Sequence, residues 1–535
     1  MTFEILDKDL AGRIGKLKTR RGIIETPYLF PVINPYDKTI TVKDVEKLGF
    51  NAFITNILHV RRAVREFNVK DVHELLGFTG PIMTDSGAYQ LLVYGHVEIT
   101  PKEAIELQER HGSDIAVILD FPTGNISRSE ASLRVNETIK RAKELMDIKS
   151  DNSILWVGPV QGAPYLDLAE YCAKQLSALE FDIYAIGSPT TIMESYQYDA
   201  LLDLIYTVKR TLPIERPIHL FGAGHPMMLS LAVALGCDLF DSASYILYAK
   251  EHRYMTSYGT YKINELEYFP CSCPICSKYT PQEITEMTNS ERVKLIALHN
   301  LYALMSEIKS IKQYIKEGTL WEYISLKSRS HPRLFSAFLR LRKYSVFLEK
   351  LDPATKPSIS GLFFYDYIDA FRPKVKRYFK KITNCLNYLQ NKVLVLLPKR
   401  SDNSHSKSFL GKLIKALGKL FLDGEVKLLF YDFPFCLTPI ELNGFYPLSQ
   451  YESPNNLDNM TKRFVSMKLI NLLRKIKPRG VVLYNEITRW GHYIKRACEQ
   501  ACDYTKVLDI EKPYENPSDI ERIKSLVHEI LYYKE

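Results

Sequence analysis

Through roughly the first 250 residues, short apolar and β-branched runs alternate with longer stretches whose apolar positions recur every three or four residues. That alternation is the pattern of successive strand–helix units. The runs YLFPVI (28–33), AFITNIL (52–58), PIMT (81–84), IAVILD (115–120), ILWVGPV (154–160), DIYAIG (182–187), PIHLFG (217–222) and CDLFD (237–241) read as eight strands. Segments between them, such as PKEAIELQERHG and YLDLAEYCAKQLSALEF, read as amphipathic helices. Eight units in this length predict a (β/α)8 TIM barrel, because doubly wound sheets usually stop sooner. In such a barrel the chemistry gathers where strands end at the C-terminal face. Asp85 follows PIMT, Asp120 ends IAVILD, Gln161 follows WVGPV, Ser188 follows YAIG and Asp241 ends CDLF. One aspartate after a strand commonly caps the next helix. Three carboxylates and an amide on one rim would repel one another in an inert core, so this rim is the expected active site.

After the eighth strand comes CSCPICSKYTP, with Cys271, Cys273 and Cys276 in C-x-C-x-x-C spacing and His299 inside VKLIALHNLY. Three thiolates and an imidazole complete a tetrahedron with no position open for water, which predicts a structural zinc ion, one per chain, in a sub-domain at about 262–305. The plainer reading, independent buried thiols, does not explain the spacing. Nine cysteines, an odd number with three crowded together, argue for a reducing compartment over a disulfide framework.

Composition extends the picture past the barrel. A chain of 535 residues exceeds what one core serves, so two or three domains are expected. No apolar run approaches the roughly 20 residues that cross a bilayer, and MTFEILDKDL has early acids and no apolar h-region. The expectation is a cytoplasmic protein without a membrane partner. The net charge of +9 is local: residues 301–420 hold 24 Lys+Arg against 8 Asp+Glu, and the remainder 47 against 54. A basic stretch containing FRPKVKRYFKK suits a polyanion, and nucleic acid is the better reading than solvated helix faces. From about residue 350 the text changes: LDPATKPSISG reads as a linker, and VLVLLPKRSDNSHSKSF, VKLLFYD and PRGVVLYNE alternate with helical stretches. The expected organisation is a barrel over 1–350 and a smaller, basic α/β accessory region over 351–535 that binds RNA. Lys250, His252 and Arg253 are candidates to touch phosphates beyond the eighth strand, and Gly222, Gly224 and His225 lie where barrels often hold phosphate or sugar.

Several strings together resemble one family, the tRNA-guanine transglycosylases: TDSGAYQ at 84–90, VILD, GPVQG, LFDS, and CSCPIC with His299, in family order over roughly residues 1–350. GAGHPMMLSLAVALGCDLFDSASYILYAK and YFPCSCPICSKYTPQE resemble the archaeal branch, which replaces a D-arm guanine, position 15, with 7-cyano-7-deazaguanine (preQ0) on the way to archaeosine. The resemblance implies roles. Asp241 would be the nucleophile toward the ribose anomeric carbon and Asp85 the general acid and base, an assignment that accounts of the family also give in exchanged form. Asp120 would accept hydrogen bonds from the guanine-like edge. Tyr89, where the family usually has Phe, would stack on the extruded base. Ser86, Gln161, Gly187 and Ser188 would line the base pocket. The implied partners are tRNA, a free guanine or deazaguanine base and a second copy of the chain in a homodimer. No nucleotide or redox cofactor is implied, and no G-x-x-x-x-G-K-[ST] loop is present.

Two departures and two rivals accompany the resemblance. LTPIELNGFYPLSQYE resembles the accessory region of archaeal transglycosylases and archaeosine synthases, but LLPKRSDNSHS lacks the synthase cysteine, which argues against amidotransfer chemistry. The archaeal form usually ends in an RNA-binding PUA domain, whereas this chain stops at YYKE, so that domain is expected to be missing or supplied by another protein. A noncatalytic tRNA-binding subunit of the same fold would be expected to have lost at least one of Asp85, Asp120 and Asp241. A zinc-dependent hydrolase would have fewer than four protein ligands.

Overall fold

The computed structural model describes residues 2–88, 99–357, 361–384, 388–400 and 403–532. The chain forms two compact units, Met1–Tyr344 with Leu351–Lys356, and Ser345–Lys350 with Pro357–Glu535.

The first unit is the eight-stranded parallel barrel. Its strands are β1 (Tyr28–Pro31), β2 (Phe53–Asn56), β3 (Ile82–Asp85), β4 (Ile115–Val117), β5 (Leu155–Val160), β6 (Ile183–Ile186), β7 (Ile218–Leu220) and β8 (Leu239–Ser242). Each pairs with its sequence neighbour, β8 pairs with β1, and a parallel bridge between Val32 and Ile54 closes the ring between β1 and β2. The strands are short and nearly all buried, as expected where helices cover the outside and side chains fill the inside. All eight anticipated runs are strands. A three-stranded antiparallel sheet, Phe3–Asp9, Gly12–Thr19 and Gly22–Thr26, precedes them and was not anticipated. It meets the N-terminal ends of the barrel strands: buried Arg13 pairs with buried Asp238 at 2.7 Å, just ahead of β8, and donates to the Arg216 carbonyl at 2.6 Å.

Beyond β8 a hairpin, Arg253–Thr256 with Gly259–Lys262, leads through the cysteine loop to the 29-residue helix Asn289–Glu317. Thr288 and Glu291 form a reciprocal cap at its start, and Gly318 ends it at φ +76°, a conformation glycine adopts without strain. Its inward face, including Val293, Ile296, Leu301, Leu304 and Ile308, is buried.

The second unit is a five-stranded sheet of β9 (Val393–Pro398), β10 (Val426–Asp432), β11 (Cys436–Pro439), β12 (Gly480–Glu486) and β13 (Thr505–Ile510), in the order β11-β10-β9-β12-β13. Only β11 is antiparallel. Alternation sends Leu394 and Leu396 to one face, against the helices Pro373–Asn384, Asn459–Ile476 and Gly491–Ala501. Val393, Val395 and Leu397 face the helices Asn403–Leu417 and Ser518–Tyr532 on the other. A continuous apolar strand such as VLVLLP is what a doubly covered sheet requires.

Candidate active site and metal centre

Asp85 closes β3, Asp120 lies three residues past β4, Gln161 follows β5, Gly187 and Ser188 follow β6, and Asp241 lies in β8. The parallel ring brings all of them to its C-terminal rim. Asp85 accepts a hydrogen bond from Asn56 Nδ2 at 3.1 Å, from the end of neighbouring β2. Burial and the charge of Asp241 push its carboxyl up to about 6. Asp120, 4% exposed, is pushed up to about 7, chiefly by burial and further by Asp85, while the Gln161 amide opposes the shift. Asp85 thus feels the charge of Asp241, and Asp120 that of Asp85.

Gln161 is the hub of the hydrogen bonds beside Asp120. Its Nε2 donates to Asp120 Oδ2 at 2.5 Å, and its Oε1 accepts from Ser188 Oγ at 2.8 Å and from the Thr123 amide and hydroxyl, both at 3.2 Å. Gly187 leaves room for that amide, since a Cβ there would come within 2.3 Å of Gln161 Nε2. Thr123, not singled out in the sequence, thus fixes the amide's orientation so that its NH2 end faces Asp120. Ser86 is fully buried, and its hydroxyl has no partner among the described residues. Tyr89 falls in the segment 89–98, outside the described residues.

Asp241 Oδ1 accepts from His219 Nε2 at 2.9 Å and from the Gly222 amide at 3.0 Å. His219 was absent from the sequence reading, where one polar residue inside the apolar run PIHLFG reads as packing. The other glycine and histidine of that loop act structurally: Gly224 passes so close to Ser242 that a Cβ would clash at 1.9 Å with its Cβ, and His225 Nδ1 accepts from the Met227 amide at 3.2 Å to cap the next helix. Past β8, Lys250 pairs with Asp37 at 2.7 Å, His252 bonds Asn289 at 2.9 Å, and Arg253 covers the Tyr248 ring at 4.8 Å, so all three have partners within the unit.

The metal-type cluster lies after β8. The donor atoms of Cys271, Cys273, Cys276 and His299 are all within 4.8 Å of one another. Cys273 Sγ lies 3.5 Å from both Cys276 Sγ and His299 Nδ1, and Cys276 Sγ is 3.3 Å from that nitrogen. Tetrahedral zinc with bonds of about 2.0–2.3 Å would separate its donors by about 3.5–3.8 Å, so the four groups fit such an ion. His299 Nε2 donates to the Met255 carbonyl at 2.8 Å, which leaves Nδ1 with its lone pair toward the sulfurs. Tyr254 stacks on the His299 ring at 3.6 Å between centroids, and its hydroxyl reaches Cys276 Sγ at 3.3 Å. Among the described residues no helix is long and apolar enough to cross a membrane.

A closed parallel barrel with three aspartates at its C-terminal mouth, followed by a Cys3His cluster of metal-ligating type, defines the class. The family model described as Queuine tRNA-ribosyltransferase matches residues 8–333, and the chain belongs to that family. It is 43% identical over 496 residues to the tRNA-guanine(15) transglycosylase of Saccharolobus solfataricus, covering 90% of this chain and 96% of that one. It is 44% identical over 461 residues to the protein of the same name from Aeropyrum pernix, covering 84% and 88%. With that of Methanocaldococcus jannaschii it shares 42% over 511 residues, 92% of this chain and 75% of the relative.

Proposed function

We propose that the protein exchanges a guanine in the D-arm of tRNA, position 15, for preQ0, through a covalent ester between Asp241 and the ribose. The observation that carries this reading is the meeting of Asp85, Asp120 and Asp241 at one barrel mouth, where burial, and after it Asp241, raises Asp85, and burial with Asp85 raises Asp120. A carboxylate that attacks the anomeric carbon needs a second carboxyl to protonate the departing base. Asp85, held up to about 6, keeps the proton in about one molecule in ten at pH 7, far more often than an ordinary carboxyl would, and takes one back from the incoming base. Asp120, with Gln161 locked beside it, offers acceptor oxygens to the two donors on the guanine edge, and Ser188 and Gly187 border the same pocket. Two displacements at one carbon return the original β-linkage.

Cys271, Cys273, Cys276 and His299 would hold zinc as a structural ion that ties the cysteine loop to the long helix. All four positions are protein donors, so the ion offers no site to substrate. The test is an exchange assay with unmodified tRNA and radiolabelled guanine or preQ0. Label entering tRNA, with preQ0 competing against guanine, is the expected result; wild-type protein that binds tRNA and never incorporates label would overturn the reading in favour of a noncatalytic subunit.

A further inference from the structure

The two oxygens of Asp241 are not equivalent. Oδ1 takes both hydrogen bonds, from His219 Nε2 at 2.9 Å and from the Gly222 amide at 3.0 Å. Among the described residues nothing donates to Oδ2, and the side chain is 15% exposed where His219 is not exposed at all. The register explains the pairing: His219 lies opposite Leu239, two residues before Asp241 on the adjacent strand, so alternation sets both side chains on the same face. Gly222 stands at φ +66°, and a Cβ there would meet Thr190 Cγ2 at 2.7 Å, so only glycine turns its amide to the carboxylate without strain.

The ring has a defined hydrogen-bonding sense. Its Nδ1 is buried without a partner among the described residues, and the ring itself is flanked by Phe30, stacked at 5.9 Å between centroids, and by Phe221, edge-on at 4.8 Å. A proton on Nδ1 would be an N–H in an apolar cage with no acceptor, so the proton sits on Nε2 and is donated to Asp241.

We propose that His219 and the Gly222 amide hold Asp241 so that Oδ2 is the atom that attacks ribose, His219 acting as a positioning residue. The inference rests on the reading of Asp241 as nucleophile. In the first half, Oδ2 bonds to C1′ as the bond from C1′ to the guanine nitrogen breaks; the bonding pair leaves with the base, which takes a proton from Asp85. Oδ1 becomes the ester carbonyl. In the second half the incoming base nitrogen bonds to C1′, gives its proton to Asp85, and the C1′–Oδ2 pair returns to the carboxylate. The charge that then spreads onto Oδ1 meets two donors already in place, so the ester departs readily and does not trap the enzyme.

The test compares His219→Leu with His219→Gln in the exchange assay. Leu fills the cage without a donor, whereas Gln presents an N–H near the Nε2 position. Expected is a fall of about 100-fold in kcat for His219→Leu with KM for tRNA within about threefold, and recovery of at least about tenfold by His219→Gln. Melting curves of both variants identify any that fail to fold. A folded His219→Leu protein with wild-type kcat, or a loss carried by KM alone, would overturn the positioning role. Independently of any variant, a crystal structure of the wild-type covalent adduct is expected to show ribose on Oδ2 with Oδ1 still bonded to His219 and Gly222; ribose on the bonded oxygen overturns the inference. If wild type is active and Asp241→Asn inactive while His219→Leu is normal, only this inference fails; if wild type forms no adduct at all, the functional reading fails first.

Discussion

The barrel rim and the Cys3His cluster each gather ionisable groups into a small space, yet the fold treats them in opposite ways. At the rim, Asp85 and Asp120 are held in surroundings that raise them to about 6 and about 7, and the buried Ser86 hydroxyl lacks a partner among the described residues. At the cluster, the donors face one another and the remaining ring nitrogen of His299 is satisfied by the Met255 carbonyl at 2.8 Å. A site left electrostatically unsettled is poised for a ligand that settles it. A site whose geometry already matches one ion, with its outer partners in place, stabilises the fold. The difference agrees with the proposal of chemistry at the first and architecture at the second, and it can be broken at either end.

The largest effect is expected at the rim. Asp241→Asn keeps the size of the side chain and removes the proposed nucleophile, so exchange should fall by at least about 10,000-fold while tRNA affinity stays within a few-fold. Denaturing gels of enzyme mixed with tRNA should lose the covalent band. A band that persists moves the nucleophile to Asp85, the exchanged assignment, and leaves the rim as the site of chemistry.

Next comes the cluster. Stripping metal with a chelator, or Cys276→Ser, should loosen the segment around 262–305 and lower the melting temperature by roughly 5–10 °C. The protein that remains folded should keep its kcat. Metal analysis should find one zinc per active chain. Full thermal stability combined with lost turnover would reverse the contrast and put the metal in the chemistry.

The two regions also differed in how plainly the sequence announced them. Barrel strands are buried on both faces, so they stand out as apolar runs, and a rim residue is simply the polar residue that ends one. The cysteine spacing carries its own geometry. His219 and Asn56 were missed because each looks like an isolated polar residue in or beside an apolar strand; only the register shows that they face Asp241 and Asp85. The Gly222 contribution is a backbone amide in a left-handed turn, which no side chain advertises. The N-terminal sheet escaped notice because its buried apolar residues, Phe3, Leu17 and Ile24, are few and spread among glycines, charges and exposed apolar residues such as Ile23. In the second unit β9, β10 and β12 were legible, whereas β13, a half-exposed edge strand reading TKVLDI, and the four-residue β11 were not.

A third effect separates the two carboxyls that share the rim's perturbation. In the proposed role Asp120 must be ionised to accept the base's N–H groups, and its carboxyl stands at about 7, so KM for free guanine should rise as pH falls below 7, approaching tenfold per unit. If Asp85 is the acid, as proposed, its titration near 6 should appear in kcat. Steady-state kinetics from pH 5 to 9 read the two separately. A KM independent of pH would mean that Asp120 does not meet the base as an ion.

The smallest effect tests whether the rim is held against the interest of stability. Because the folded-state value of Asp120 lies above its ordinary 3.8, the group's stabilising contribution is fully present below about pH 4 and is lost as pH rises through about 7. Above that, the fold confines a buried carboxylate it would hold more easily as a neutral group. Asp120→Asn keeps an acceptor for the Gln161 amide and removes the charge, so the variant should gain about 1–3 kcal/mol at pH 8, or roughly 2–5 °C in melting temperature, with the advantage shrinking toward pH 4. Base exchange should be lost in the same protein. A neutral or lower melting temperature at pH 8 would show that the rim is settled without its ligand, and the contrast with the cysteine cluster would then rest on metal geometry alone.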